Sequence, residues 1–154
     1  MTTTSTPGLF ERPITLPDAD AQSRLAKLVG MDDKIRRLSN VLAVLINPAG
    51  LKEWLDQHHA HSTGLLDAVM RRPPLVVLSG DVGSGKTELA ETIGDMVARQ
   101  EGIDITLLPL SLSSRGQGRV GEMTQLVSAA FDHAFHEASK VKSSKGSRAR
   151  GGVI

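Results

Sequence analysis

Cysteine and tyrosine are absent from this 154-residue sequence. Without cysteine there is no disulfide and no thiolate metal centre, and the cellular compartment cannot be read from thiol usage. Aromatic residues are almost as scarce: Phe10, Trp54, Phe131 and Phe135 are the whole set. Any core must therefore be built from Leu, Val, Ile, Ala and Met. Neither sign of charge is in surplus, since 18 Lys and Arg face 17 Asp and Glu for a net charge of +1. That balance gives no global case for a nucleic-acid or membrane-surface partner, and neither is expected. No apolar run approaches the roughly 18 residues that a membrane helix needs. The opening "MTTTSTPG" has neither the basic nor the apolar region of a secretory leader, so the expected location is cytoplasmic.

What is present is ordinary for a globular chain: 40% apolar and 23% charged residues, enough for one domain with a core. Residues 1–27, rich in Thr, Ser and Pro at the start, read as a flexible N-terminal arm with a short helix possible from Asp20 to Leu28. Asp32 can cap a helix in which Ile35, Leu38, Val41, Leu42, Leu45 and Ile46 repeat at three-and-four spacing, ending at Pro48. A second short helix follows, stopped at Gly64, with one or two turns more before Pro73 and Pro74. "LVVLS" at 75–79 is apolar throughout and β-branched in its middle, the pattern of a strand buried on both faces. A helix from Lys86 carries Leu89, Ile93, Met96 and Val97 on one face and has a natural stop at Gly102. "DITLLPLSL" reads as another strand. Met123, Leu126, Val127, Ala130, Phe131, Ala134 and Phe135 give the next helix an apolar face. A basic segment then leads to "VI", which opens a third strand. Strands alternating with crossover helices predict an α/β fold with a parallel sheet.

Between the 75–79 run and the helix at Lys86 lies "GDVGSGKT", which fits G-x-x-x-x-G-K-[ST] at Gly80, Gly85, Lys86 and Thr87, with an additional glycine at Gly83. Its place between a strand and a helix start is the context that gives the pattern meaning. A polyphosphate crowds negative oxygens together. A turn through Asp81, Val82, Gly83, Ser84 and Gly85 can aim several backbone N–H groups into one concavity where glycine permits the dihedrals. The helix adds its free N-terminal amides and dipole. Lys86 is expected to reach the β- and γ-phosphates, and Thr87 to offer its hydroxyl to Mg²⁺. Glu88, in the first turn, favours the helix N-terminus by its charge.

With this loop in place, the stretch from about Leu28 to Ile154 resembles the AAA+ ATPases, a P-loop NTPase-type fold with a parallel sheet and flanking helices. "LVGMDDKIRRL" is similar to the family's turn and helix before the first strand; the resemblance places Val29 and Gly30 beside the adenine. Val120, Gly121 and Glu122 match the family's aliphatic–Gly–Glu loop facing a hexamer's pore, with Arg119 where that loop carries an aromatic residue. The spacing also resembles the branch that remodels HORMA-domain proteins, which has bacterial relatives in anti-phage systems. In the family, "VI" begins the strand ending in the Asp-Glu pair that holds Mg²⁺ and orients water. The resemblance thus implies a partial ATPase domain over 28–154, with three strands, and with the acidic pair, the γ-phosphate sensor, the arginine finger and the lid falling after Ile154. The expectation is an ATP-binding module, with ATP and Mg²⁺ as cofactors. Lys86 and Thr87 would act in catalysis within a ring of neighbouring subunits, and hydrolysis would drive remodelling of a protein substrate. The 154 residues alone are expected to turn over ATP slowly or not at all. Two other readings stay open: a non-hydrolysing nucleotide- or partner-binding fragment, and another P-loop phosphotransferase.

Other candidates point to no function. The basic run Lys140, Lys142, Lys145, Arg148 and Arg150 lacks interleaved aromatics for stacking on bases and reads as a solvated loop. Arg115 and Arg119 flank a Gly-rich loop and suit a ring pore or plain solvent equally. His58, His59 and His61, and the pair His133 and His136, read as polar helix surface rather than a metal site. Trp54 reads as a cover for apolar surface.

Overall fold

The computed structural model describes residues 9–59, 63–71, 75–111, 120–143 and 151–153. Its elements run β1 (Ile14–Leu16), α1 (Ala19–Ala26), α2 (Asp32–Ile46), α3 (Pro48–His58), α4 (Thr63–Met70), α5 (Lys86–Glu101), β2 (Asp104–Leu107), α6 (Val120–Ser143) and β3 (Gly151–Val153). They fall into two compact units. One is Pro17–Gly102, and the other combines Met1–Leu16 with Ile103–Ile154.

The unit Pro17–Gly102 is helical among its described residues, with α1 and α2 both packed on α5. The predicted face of α5 holds: Leu89, Ile93 and Val97 are buried, and Thr92, Asp95 and Ala98 join them. Met96 is instead partly exposed. Thr92 satisfies its hydroxyl by donating to Glu88 O at 2.6 Å. Gly102 closes the helix in the left-handed region, its N–H donating to Ala98 O. α2 turns a narrower stripe inward than its apolar repeat suggests. Ser39 and Ala43, one turn apart, are its buried positions, while Val41 is half exposed. Small side chains at i and i+4 let two helices approach closely, and Ser39 returns its hydroxyl to Arg36 O at 3.0 Å. Met31, not Asp32, is the α2 N-cap; Asp32 sits in the first turn, where its charge suits the dipole. Asn47 then caps α3 by accepting from Gly50 N, with Pro48 in the first helical turn.

One expectation for this unit is corrected. Residues 75–79 form no strand, and Leu75 and Val77 are 66% and 77% exposed rather than buried. A strand is made by its neighbours, and no strand exists among the described residues of Pro17–Gly102 to pair with this one. Leu75, Val76 and Val77 are exposed, and Leu78 is half-buried. The short helix expected within the arm from Asp20 to Leu28 forms as α1 over Ala19–Ala26. Asp18 caps it by accepting from Ala21 N, and the Asp18 N–H donates at 2.7 Å to the buried carboxylate of Asp95.

The other unit holds a three-stranded sheet in the order β1-β2-β3. β2 and β3 are parallel, with Ile105 opposite Gly152, as the strand–helix–strand alternation requires. The third strand of the expected sheet is not 75–79 but β1, from the residues read as an arm. It pairs antiparallel with β2, Leu16 opposite Ile105, and both side chains are fully buried. Glu11 N to Pro109 O at 2.8 Å, Ser111 N to Leu9 O at 2.9 Å and a bridge between Phe10 and Leu110 continue the pairing past both strands. On α6, which packs with β3, the aromatic part of the predicted apolar face is uncovered, with Phe131 and Phe135 65% and 78% exposed, while Leu126, Ala130 and Ala134 are half-buried. Residues 112–119, which include Arg115 and Arg119, and residues 144–150 of the basic run lie outside the described residues, as do His61 and Ile154. Lys140 at the head of that run pairs with Glu137.

Candidate phosphate-binding site

The motif sits directly on the start of α5, with Lys86 as the first helical residue and Gly85 as its cap. Gly83 and Gly85 adopt φ of +80° and +78°, left-handed values that a β-carbon disfavours. The turn is closed by Ser84 N donating to Asp81 O at 3.3 Å. Lys86 folds over it, its Nζ at 2.5 Å from Asp81 O and 3.2 Å from Ser84 Oγ. Among the described residues, leaving out its chain neighbours, nothing comes within 4 Å of where a Gly83 β-carbon would stand. The first amides of an α-helix have no intrahelical acceptor. Those of α5 therefore point, with the helix dipole, toward the loop. An open, glycine-shaped turn, free helical amides and one ammonium group fit a polyphosphate.

A cleft of about 640 Å³ adjoins the loop. One wall is Val76, Val77, Leu78, Ser79, Gly80 and Asp81; the other is α2 with Met31, Leu38 and Val41, and Lys34 and Arg37 bring positive charge to it. Ser84 and Lys86 line it as well. The structure thus brings Gly80, Asp81, Ser84 and Lys86 together in one cleft. Val29 is 93% exposed and, with Gly30, Val82, Gly83 and Thr87, does not line it. The turn that carries Val29 is nonetheless near the loop, because a β-carbon at Gly85 would meet Leu28 Cδ2 at 3.2 Å and Met31 Sδ at 3.5 Å.

Glu88 is held by Arg24 of α1. Arg24 Nε donates to Glu88 Oε1 at 2.6 Å, and its Nη2 donates to Glu88 Oε2 at 2.9 Å and to Glu91 Oε2 at 2.6 Å. Hydrogen bonding from Arg24 holds the Glu88 carboxyl below the usual range, against the opposing pull of burial. The same bonds, to Glu88 first and then Glu91, raise the Arg24 guanidinium further. Sequence reasoning missed Arg24, because no local pattern links residues 64 positions apart. It also missed Lys34 and Arg37, whose one-turn spacing on α2 was the only available signal. Among the described residues no group of three or more His, Asp or Glu forms a metal site, and no helix is long and apolar enough to cross a membrane. His58 and His59 pack on Trp54, with ring centroids 5.0 Å and 5.2 Å apart.

No protein-family profile matches the chain. Individual proteins do. It is 63% identical over 146 residues to the CD-NTase-associated protein 6 of Escherichia coli strain MS 115-1. Its relatives include that protein and Trip13. A second CD-NTase-associated protein 6, from Escherichia coli strain KTE188, is 34% identical over 133 residues. Among solved structures, a chain of the E. coli MS115-1 HORMA:CdnC:Trip13 complex superimposes with a TM-score of 0.81 at 59% identity over 99% of this chain. Rhizobiales Trip13 gives a TM-score of 0.76 at 56% identity over 95%. The chain covers 47% and 45% of the two curated relatives, and 48% and 49% of the two structures. It therefore spans about half the length of the proteins it matches.

Proposed function

We propose that this chain is the nucleotide-gripping part of an AAA+ ATPase that binds ATP with Mg²⁺ and, in the whole protein, couples hydrolysis to the remodelling of a protein partner. The observation that carries the reading is the conformation of residues 80–87: two left-handed glycines immediately ahead of a helix whose first residue is Lys86. Nothing in a plain turn leading into a helix calls for that combination, whereas a triphosphate does. Lys86 would leave Asp81 O and Ser84 Oγ for the β- and γ-phosphates, and Thr87 would present its hydroxyl to the metal. Mg²⁺ supplies charge neutralisation between the phosphates when bound. Val29 and Gly30 would border the base; the residues flanking them, Leu28 and Met31, abut Gly85.

The similarity to Trip13 chains supports the choice of this family over other phosphate-loop proteins. One of those chains was solved in a complex with HORMA and CdnC. On that basis the partner of the whole protein is a HORMA-domain protein, engaged by a ring of neighbouring subunits. The test is nucleotide binding by the 154-residue chain with and without Mg²⁺. Lys86→Ala is expected to weaken ATP at least about tenfold, and Thr87→Ala to remove the increment that Mg²⁺ adds. Equal affinity in wild type and Lys86→Ala would end this reading.

A further inference from the structure

Across residues 81–91 the acids Asp81, Glu88 and Glu91 outnumber the one base, Lys86. A segment that grips a polyanion thus carries the wrong sign of charge on its own. The compensating cation comes from elsewhere in the chain. Resting on the reading that residues 80–87 hold a polyphosphate, we propose that Arg24 is a positioning residue for that grip: it neutralises the two carboxylates at the start of α5 that would otherwise repel the ligand.

Three hydrogen bonds of 2.6–2.9 Å fasten one guanidinium to both carboxylates. The fork that bonds Glu88 is the bidentate geometry only arginine offers. Glu88 lies two positions beyond Lys86 and next to Thr87, within the turn whose dipole must face the ligand. Arg24 Nη1 also stands 3.9 Å from Asp20, but that carboxylate is mostly exposed, so the guanidinium is committed to α5. Lys27 adds a weaker positive influence on Glu88. A plain anchoring role, tying α1 to α5, needs one carboxylate anywhere along the contact. The structure instead gathers both acids of the first two turns of α5 onto one cation.

Charge neutralisation and anchoring make different predictions when the acids are removed. Binding of ATP and of inorganic tripolyphosphate, which has no base or sugar, is measured by calorimetry, alongside the melting temperature of the nucleotide-free protein. Arg24→Ala is expected to weaken both ligands about tenfold. Adding Glu88→Gln and Glu91→Gln to Arg24→Ala is expected to restore affinity while the melting temperature stays lowered, since the ion pairs remain absent. If affinity stays low in the triple variant, or never falls in Arg24→Ala, the proposal is overturned. Glu88→Gln with Glu91→Gln in the presence of Arg24 gives a reading that does not depend on Arg24→Ala folding: affinity above wild type supports the proposal, and affinity equal to or below it overturns it. Lys86→Ala separates the two levels. Dependence on Lys86 without dependence on Arg24 removes this inference alone, and independence of Lys86 removes the phosphate grip and this inference together.

Discussion

Gly85 stands so close to Leu28 that a β-carbon on it would lie 3.2 Å from Leu28 Cδ2, with Met31 Sδ at 3.5 Å. The last glycine of the phosphate loop is therefore held both by its own left-handed φ of +78° and by the turn in front of α2. Gly83 shares the φ but has open space around it. Gly83→Ala is expected to cost only the backbone term, about 1 kcal/mol. Gly85→Ala adds the displacement of Leu28 and is expected to cost about 2 kcal/mol or more. Urea denaturation of the two variants measures the difference, and equal losses would show that the Leu28 contact yields freely.

Asp95 makes a second test, independent of the loop. Its carboxylate is 1% exposed in the middle of α5, where it accepts from Asp18 N at 2.7 Å and from Arg99 Nε at 2.8 Å. Donating to the Asp95 carboxylate raises the Arg99 guanidinium above its usual range. Asp95→Ala leaves the part-buried Asp18 amide without its acceptor and Arg99 with only Asp18 O at 3.4 Å, and is expected to cost about 2–4 kcal/mol. Far-ultraviolet dichroism with denaturant titration reads the loss. A cost near zero would mean that α1 is held by its other contacts with α5.

Acid sensitivity follows from the Arg24–Glu88 pair. The Glu88 carboxyl titrates lower in the folded chain than in the unfolded one, because Arg24 hydrogen-bonds its charged form. Its contribution is complete above the unfolded value and is lost as pH falls through the folded one. Glu137, lowered by Lys140, has the same sign. Melting temperature is therefore expected to drop on going from about pH 5 to about pH 3. Arg24→Gln is expected to shallow that slope. An unchanged slope in Arg24→Gln would assign the acid loss to other carboxylates.

These tests also mark how far the sequence could be read. Gly83, Gly85, Lys86 and Gly102 announce loop, helix start and helix end, because glycine and lysine at fixed spacing act through local backbone geometry. The parallel pairing of β2 with β3 was legible for a similar reason: a helix separates two apolar runs. Arg24 with Glu88, and Asp18 with Asp95, were not legible, since each joins residues more than 60 positions apart. Asp95 in particular looks like a solvated helix position until Asp18 N and Arg99 are seen around it. Residues 75–79 have every strand-forming side chain and pair with no strand among the described residues. Composition specifies what a segment prefers to bury, and the neighbours decide whether it does.

The aromatic stripe of α6 tests that distinction directly. Val127, Phe131 and Phe135 follow one another at four-residue spacing, and all three are at least partly exposed. A buried Phe truncated to a small residue costs about 3–5 kcal/mol, whereas an exposed one costs less than about 0.5 kcal/mol. Phe131→Ser with Phe135→Ser is accordingly expected to leave the denaturation midpoint of the 154-residue chain unchanged. The same change removes two large rings from solvent-facing surface, and so is expected to lower self-association in sedimentation at high concentration. A clear fall in the midpoint would mean that these rings are covered in solution, and that α6 turns the face predicted from its periodicity toward a core.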